Sequence, residues 1–351
     1  MNILIVRLSA IGDIIHSLPV LAAIKRHLPD SRVSWVAEQR SAEILRGNPL
    51  VDDLIEVDTR SFKGGKTIEN ILIEMSRQAR LIRRSKYDVA IDLQGLIKSA
   101  VATQVSAAKK RWGFDKKGLR EPAGRIFYTD TVTTEPKIHV IRKNLALAAA
   151  ALGFEADSEV EFPIATGDEH RKEVETLIAR AGGRAFAILN PAGGWVTKLW
   201  QAADFGRLAD RLDGELDLTP IVVTGPNEGE LAAAVRANSR SERTIFAEPS
   251  LKGFYELARR AAVYVGGDTG PTHLAIAAGA PVVGIFGPTE WWRNGSLNPD
   301  DICVERTDIG CRVDCHRRTC SNWICMDIPV ETVFEAVQKR MRTETKATNR
   351  R

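Results

Sequence analysis

In both halves of this chain, short apolar runs rich in β-branched residues alternate with longer stretches whose apolar residues recur at helical spacing. The strand-like runs of the first half are 2–7, 33–37, 53–57 and 88–93, with helical stretches that include 14–28, 66–86 and 96–107. In the second half, 185–189, 220–224, 244–247, 263–266 and 281–286 alternate with 202–212, 228–238, 251–261 and 271–278. Strand, helix and strand in succession make a parallel sheet with right-handed crossovers, so the pattern predicts two doubly wound, Rossmann-like α/β domains. A chain of 351 residues is too long for one ordinary α/β core and suits two domains of about 150 residues each. The boundary is expected near 162–167, where Pro163 and Gly167 interrupt the pattern after a helix at 139–152. That gives domains at 1–162 and 168–328, then a C-terminal helix and frayed tail at 329–351.

Composition narrows the function classes. Hydrophobic residues at 44% and charged residues at 27% describe a soluble globular protein, and a net charge of only +4 argues against a general nucleic-acid binder. No segment approaches the roughly 18 consecutive apolar residues of a membrane span. Residues 3–24 are largely apolar, but Arg7 and Asp13 interrupt them, so they read as a buried strand plus helix rather than a signal peptide, and the protein as cytoplasmic.

Two strand-to-helix turns carry the chemistry. At 263–278 an apolar strand passes through Gly266, Gly267, Asp268, Thr269 and Gly270 straight into a helix with Pro271 in its first turn. The backbone N–H groups of Thr269 and Gly270 and the helix dipole make that start an anion site. The same residues also suffice for a plain capped helix, with Asp268 or Thr269 as N-cap. The second turn, 8–13, follows the first strand: Gly12 permits close approach, and Asp13 sits where loop becomes helix, at a strand's carboxyl end. Its ordinary role would again be an N-cap. Two such domains facing one another would form a cleft with Asp13 on one wall and Thr269-Gly270 on the other.

An ordered set of motifs resembles the lipopolysaccharide heptosyltransferases, glycosyltransferases of the GT-B architecture. It comprises Ser9, Gly12, Asp13, His16 and Pro19; Asp92, Gln94, Gly95, Lys98 and Ser99; Arg120, Glu121 and Pro122 with Phe127-Tyr128; and Asp268, Thr269, Gly270, Pro271, Thr272 and His273 followed by 286–289. The first three groups resemble the family's branch that adds the first heptose, and the last resembles its donor-binding signature. The resemblance implies inverting transfer of L-glycero-D-manno-heptose from ADP-heptose to a 3-deoxy-octulosonate (Kdo) residue of lipid A. A sugar hydroxyl needs a carboxylate within reach to take its proton, and Asp13 is the candidate base. The leaving diphosphate needs fixed donors and cations, for which Thr269, Gly270 and Lys198 are candidates.

The donor set implied by the resemblance comprises Gly193, Gly194, Thr197, Lys198, Glu228, Asp268, Thr269, Gly270 and His273. Glu228 resembles the family position that bonds the nucleotide ribose; read alone, it is a first-turn helix acid. Asp268 beside a diphosphate would be repelled, so it is expected to cap the helix or accept from heptose hydroxyls. For the acidic acceptor, Ser9, Arg60, Lys63, Gln94, Lys98 and Arg120 are the candidates, with arginine suited to bidentate carboxylate contact. Residues 101–125 carry seven Lys/Arg, and Lys66 extends the Arg60–Lys63 cluster. Such basic loops near Phe62 or Trp112 could hold the protein weakly against the cytoplasmic face of an anionic inner membrane.

Cys311, Cys315, Cys320 and Cys325, with His316 adjacent, have the density of a small zinc site, but their spacing misses the paired Cys-x2-Cys pattern. Structural zinc and reduced thiols stabilising a loop both remain open, and this cluster departs from the first-heptose branch. No cofactor is required by the expected reaction, and the lack of an Asp-x-Asp motif fits a metal-independent transferase. A second heptosyltransferase acceptor, another nucleotide sugar and a nucleotide-sugar epimerase are the alternative readings.

Overall fold

The computed structural model describes residues 1–58, 68–156, 158–313 and 315–348. The chain divides into two compact units, Met1–Ala165 and Thr166–Arg351.

The first unit runs β1 (Asn2–Val6), α1 (Ile11–Ile15), α2 (Leu18–His27), β2 (Arg32–Glu38), β3 (Asp53–Val57), α3 (Ile68–Ile82), β4 (Val89–Asp92), α4 (Ile97–Val105), β5 (Lys110–Phe114), β6 (Asp130–Val132) and α5 (Val140–Leu152). Its strands are all parallel, in the order β3-β2-β1-β4-β5-β6. The second unit runs α6 (Asp168–Arg180), β7 (Phe186–Asn190), α7 (Ala202–Leu216), β8 (Thr219–Val223), α8 (Gly229–Ala237), β9 (Ile245–Ala247), α9 (Leu251–Ala258), β10 (Val263–Gly267), α10 (Gly270–Ala277), β11 (Val282–Phe286), α11 (Trp291–Asn294), β12 (Ile302–Glu305) and α12 (Val330–Thr348). Its parallel sheet has the order β12-β11-β10-β7-β8-β9.

Helices on both faces of a parallel sheet leave its central strands no solvent face, so those strands read as continuous apolar runs. Ile3, Leu4, Ile5 and Val6 of β1 and Val263, Tyr264 and Val265 of β10 are fully buried. Each such side chain contributes about 1.5–3 kcal/mol of burial. In the second unit α12 lies against α7 and the strands β10, β11 and β12, and its Val333, Phe334 and Val337 complete that core.

Two differences from the sequence reading have local causes. The helix expected over 14–28 is two helices, because Pro19 in the first turn of α2 starts a new helix after Ser17. The basic stretch 101–125 contains strand β5, which starts with exposed Lys110 and half-buried Arg111 while its Gly113 and Phe114 are buried. Most of the stretch 329–351, expected as a helix with a frayed tail, is helix, which runs to Thr348. The short strands β6 and β12 and the polar helix α6 also went unread.

Strand β5 is tightly covered. A Cβ added at Gly113 would lie 2.3 Å from the ring of Tyr128. Gly113→Ala should therefore destabilise the protein by about 1–3 kcal/mol through overpacking. A urea midpoint equal to that of the wild type would reject this.

Candidate functional site

In a doubly wound sheet, the two adjacent strands from which the chain winds outward in opposite directions leave a crevice at their carboxyl ends, and ligands bind there. In the second unit these strands are β7 and β10, because β8 and β9 extend one side and β11 and β12 the other. At the end of β7, Asn190 is buried, and its amide Nδ2 donates to Val223 O at 2.9 Å. The loop that follows carries Lys198, which is 8% exposed. At the end of β10, Asp268 and Thr269 lead into α10, whose start no side chain caps. The first-turn N–H groups of that helix thus keep their anion-binding capacity.

Lys198 and Asp268 form a buried ion pair between these two strand ends. The ammonium also donates to Asp268 O at 3.1 Å and lies 3.9 Å from the centroid of the Trp195 ring. Two of its three donors are thereby engaged, leaving one for a ligand oxygen. The Asp268 carboxylate further accepts from Asn294 Nδ2 at 2.6 Å and faces His273 Nε2 at 3.2 Å. Burial opposes its ionisation, but the hydrogen bond and charge of His273, with Lys198, outweigh burial and hold the carboxyl far below the usual carboxylate range. After β11, buried Arg312 donates to Gly287 O at 3.2 Å and pairs with Glu305 at 2.7 Å, which fixes that turn.

The first unit repeats the arrangement at β1 and β4. Buried Arg7 holds Leu93 O and pairs with Asp13 at 2.9 Å, while the second Asp13 oxygen accepts from Ala10 N at 3.2 Å. The Asp13 side chain is 47% exposed, so it is an oriented carboxylate open to solvent. Lys98, in the first turn of α4, donates to Glu38 at 2.6 Å and approaches Ser9 Oγ at 3.4 Å. Below them Asp92, with no exposed surface, accepts from Gln94 N at 2.8 Å, Gly95 N at 3.1 Å and Tyr128 Oη at 2.7 Å. Gln94 passes the constraint on, because its Oε1 accepts from Leu8 N at 2.7 Å. Burial pushes the Asp92 carboxyl upward in pKa despite these donors, and burial with the adjacent Asp92 charge pushes the Tyr128 phenol up as well.

Residues 75–323, which include the loop after β4 and the whole second-unit constellation, match the model of glycosyltransferase family 9 (heptosyltransferase). The chain belongs to glycosyltransferase family 9. It is 29% identical over 323 residues to lipopolysaccharide heptosyltransferase 1 of Pseudomonas aeruginosa, covering 92% of this chain and 88% of that one. It is 24% identical over 297 residues to lipopolysaccharide heptosyltransferase 3 of Escherichia coli, covering 82% and 84%. Among solved structures, the heptosyltransferase WaaC of E. coli with ADP superposes at a TM-score of 0.79 and 23% identity over 97% of this chain and 100% of that one. Its form with ADP-2-deoxy-2-fluoro heptose gives a TM-score of 0.77 at 22% identity, covering 97% and 99%. The fold is thus the tandem α/β GT-B fold expected of the family.

Within this family-9 chain the expected site residues fall into three groups. Asp13, Ser9 and Lys98 meet at the first switch point, and Lys198, Asp268, Thr269, Gly270 and His273 at the second. Several others have internal duties. Gln94 binds Leu8 N. Thr197 is buried, with its hydroxyl on Arg317 O at 2.6 Å and its carbonyl accepting from Trp323 Nε1 at 3.0 Å. A Cβ at Gly193 would strike Leu199 at 2.7 Å, so that glycine serves packing, whereas Gly194 faces open space. Glu228 is the N-cap residue of α8, not a first-turn acid, and accepts from Gly225 N at 2.6 Å.

Of the two N-cap candidates for α10, Thr269 holds the position, and the Asp268 carboxylate is instead drawn to Lys198 and His273. Asp13 sits at the third position of α1, reaching back to Ala10 N. Arg120 is exposed and has no hydrogen-bond or ion-pair partner among the described residues. Arg60, Lys63, Lys66 and Phe62 lie outside the described residues. Cys311, Cys315, Cys320 and Cys325 are free thiols, and no three metal-ligating side chains converge among the described residues, so nothing is assigned to a metal. Their segment is laced to its neighbours by Thr197 and by His316 N on Pro288 O at 2.9 Å. No helix among the described residues is long and apolar enough to cross a membrane.

The reading missed Arg7, Glu38, Arg312 and Asn294. An arginine or glutamate ending an otherwise apolar strand was the available signal for the first two. Asp92→Ala should lower stability by about 1–3 kcal/mol by orphaning buried donors, whereas Asp92→Asn keeps an acceptor for the turn. Urea unfolding at neutral pH checks this, and equal losses for the two variants would refute it.

Proposed function

We propose that this chain is an inverting glycosyltransferase that moves L-glycero-D-manno-heptose from ADP-heptose to a Kdo residue of lipid A. The observation that carries the reading is the second-unit switch point. There a buried ammonium with a spare donor adjoins a helix start whose first-turn N–H groups no side chain caps. This is the chemistry a leaving nucleoside diphosphate requires, since negative charge grows on its oxygens as the anomeric centre gains oxocarbenium character. The Lys198–Asp268 pair answers the repulsion expected of Asp268, whose charge is balanced by Lys198 and, when protonated, by His273. ADP and an ADP-heptose analogue held by WaaC support the same donor.

Asp13 is the base in this reading. Its carboxylate is held by Arg7 and Ala10 N in a fixed direction, and it takes the acceptor hydroxyl proton as the bond to the anomeric carbon forms. Glu228 keeps one oxygen for the nucleotide ribose, and the Gly194 backbone allows close approach. Lys98, Ser9 and Arg120 face the acidic acceptor, with Arg120 bringing an unpaired guanidinium. Likeness to heptosyltransferase 3 of E. coli favours, as the second reading, the same transfer to a later inner-core sugar.

Mass-resolved assays of ADP- and UDP-sugars against Kdo-lipid A test the reading, and transfer of no heptose from ADP-heptose rejects it. Asp13→Ala should lower kcat by about 100-fold or more while leaving ADP affinity within about twofold. Comparable turnover in wild type and variant would remove Asp13 from the role. Lys198→Ala should weaken ADP binding about tenfold or more in calorimetry, and unchanged affinity would exclude it.

A further inference from the structure

The first unit carries a groove of about 730 Å³ between α3 and α4, within the size range of small-molecule sites. Its walls include Val57, Met75, Ile82, Ile97, Val101 and Val105. Val57 and Ile82 are buried, but Met75, Ile97 and Val101 are 50%, 43% and 37% exposed. Apolar side chains left to solvent this close together mark a surface that meets something apolar. The groove is also lined by Leu8, Glu38 and Lys98. Leu8 and Lys98 border Ser9, so one end of the groove opens at the acceptor pole of the switch point. At that end Lys98 and Arg40 share the carboxylate of Glu38, and a second carboxylate, Glu121, accepts from Ile97 N at 2.7 Å, so the pole is polar with its charges paired.

A ligand matching both features has a polar head able to accept from Lys98 and Arg40 and a hydrocarbon body. A sugar alone would leave Val101 and Val105 uncovered, and a free fatty acid would leave the Asp13 pole without a hydroxyl. We infer that the groove is an acyl-chain subsite, seating hydrocarbon of a glycolipid acceptor while its acidic sugar lies at Lys98 and Ser9. The inference rests on the acceptor class proposed above and adds what the enzyme reads beyond the sugar.

The test compares transfer from ADP-heptose to two acceptors with the same sugar head, one fully acylated and one deacylated, in the same detergent. Val101→Asp places a charge on an exposed wall position, and its ADP affinity and thermal midpoint verify folding. The inference expects the variant to raise KM for the acylated acceptor about tenfold with kcat within twofold, and to leave both constants for the deacylated acceptor unchanged. Equal effects on the two acceptors, or none on either, overturn it. So does a change in oligomeric state on Val101→Asp with acyl discrimination intact, which would assign the groove to a second copy of the chain. If wild type transfers heptose to neither acceptor, the proposed function fails separately, and equilibrium binding of the two lipids decides the groove. Preferential binding of the acylated lipid, lost in Val101→Asp, sustains the subsite, and indifferent binding removes it.

Discussion

The structure depends on a winding constraint. A right-handed crossover can leave a strand toward either face of a parallel sheet, and where the chain changes direction the two central strands end in loops that no helix covers. In each unit most of the polar groups argued to touch a substrate lie on one of those loops or on the helix that follows it, whereas Glu228 follows β8 and Arg120 follows β5, one strand further out. The central strands themselves are apolar and buried, so they serve as a rigid ground from which the loops project.

On that ground, electrostatics is organised by pairing rather than by accumulation of one sign. In the second unit the cation and carboxylate neutralise one another while remaining aimed at the helix start. Desolvating either alone would be costly, and breaking such a buried pair by removing one partner generally destabilises strongly. In the first unit the arrangement is asymmetric: Asp13 is half open to solvent, but Arg7, its partner, is locked beneath the loop by Leu93 O. The carboxylate therefore takes its direction from the sheet. The same logic places Asp92 under Gln94 and Gly95, so the loops after β1 and β4 are joined through Gln94 to Leu8 N.

How much of this could be read in the amino-acid order varies with distance along the chain. The turn into α10 and the turn at Gly12-Asp13 were legible, because glycine, a small polar residue and a helix-starting pattern fall within a few positions. The central strands were legible because burial on both faces makes them uniformly apolar. β5 was not, since Lys110 and Arg111 disguise its start, and β6 and β12 are too short to show a period. The partnerships were least accessible. Lys198 was expected beside a phosphate, but its pairing with Asp268 joins positions 70 residues apart, and Tyr128 meets Asp92 across 36. No local pattern encodes such contacts, which arise from the order of strands in the sheet. Charged residues closing apolar strands, as Arg7 and Glu38 do, were the one local trace of them.

The tethers on Thr197 have a mechanical meaning for the second unit. Its hydroxyl and carbonyl both hold the cysteine-bearing segment, which has little regular ladder of its own and borrows order from the Lys198 loop and from Pro288. On warming, such a segment loosens before the sheet does. The loop that steadies the ammonium then loses two restraints in a single event. Order in the Lys198 loop is thus tied to order in the cysteine-bearing segment through both polar groups of one threonine.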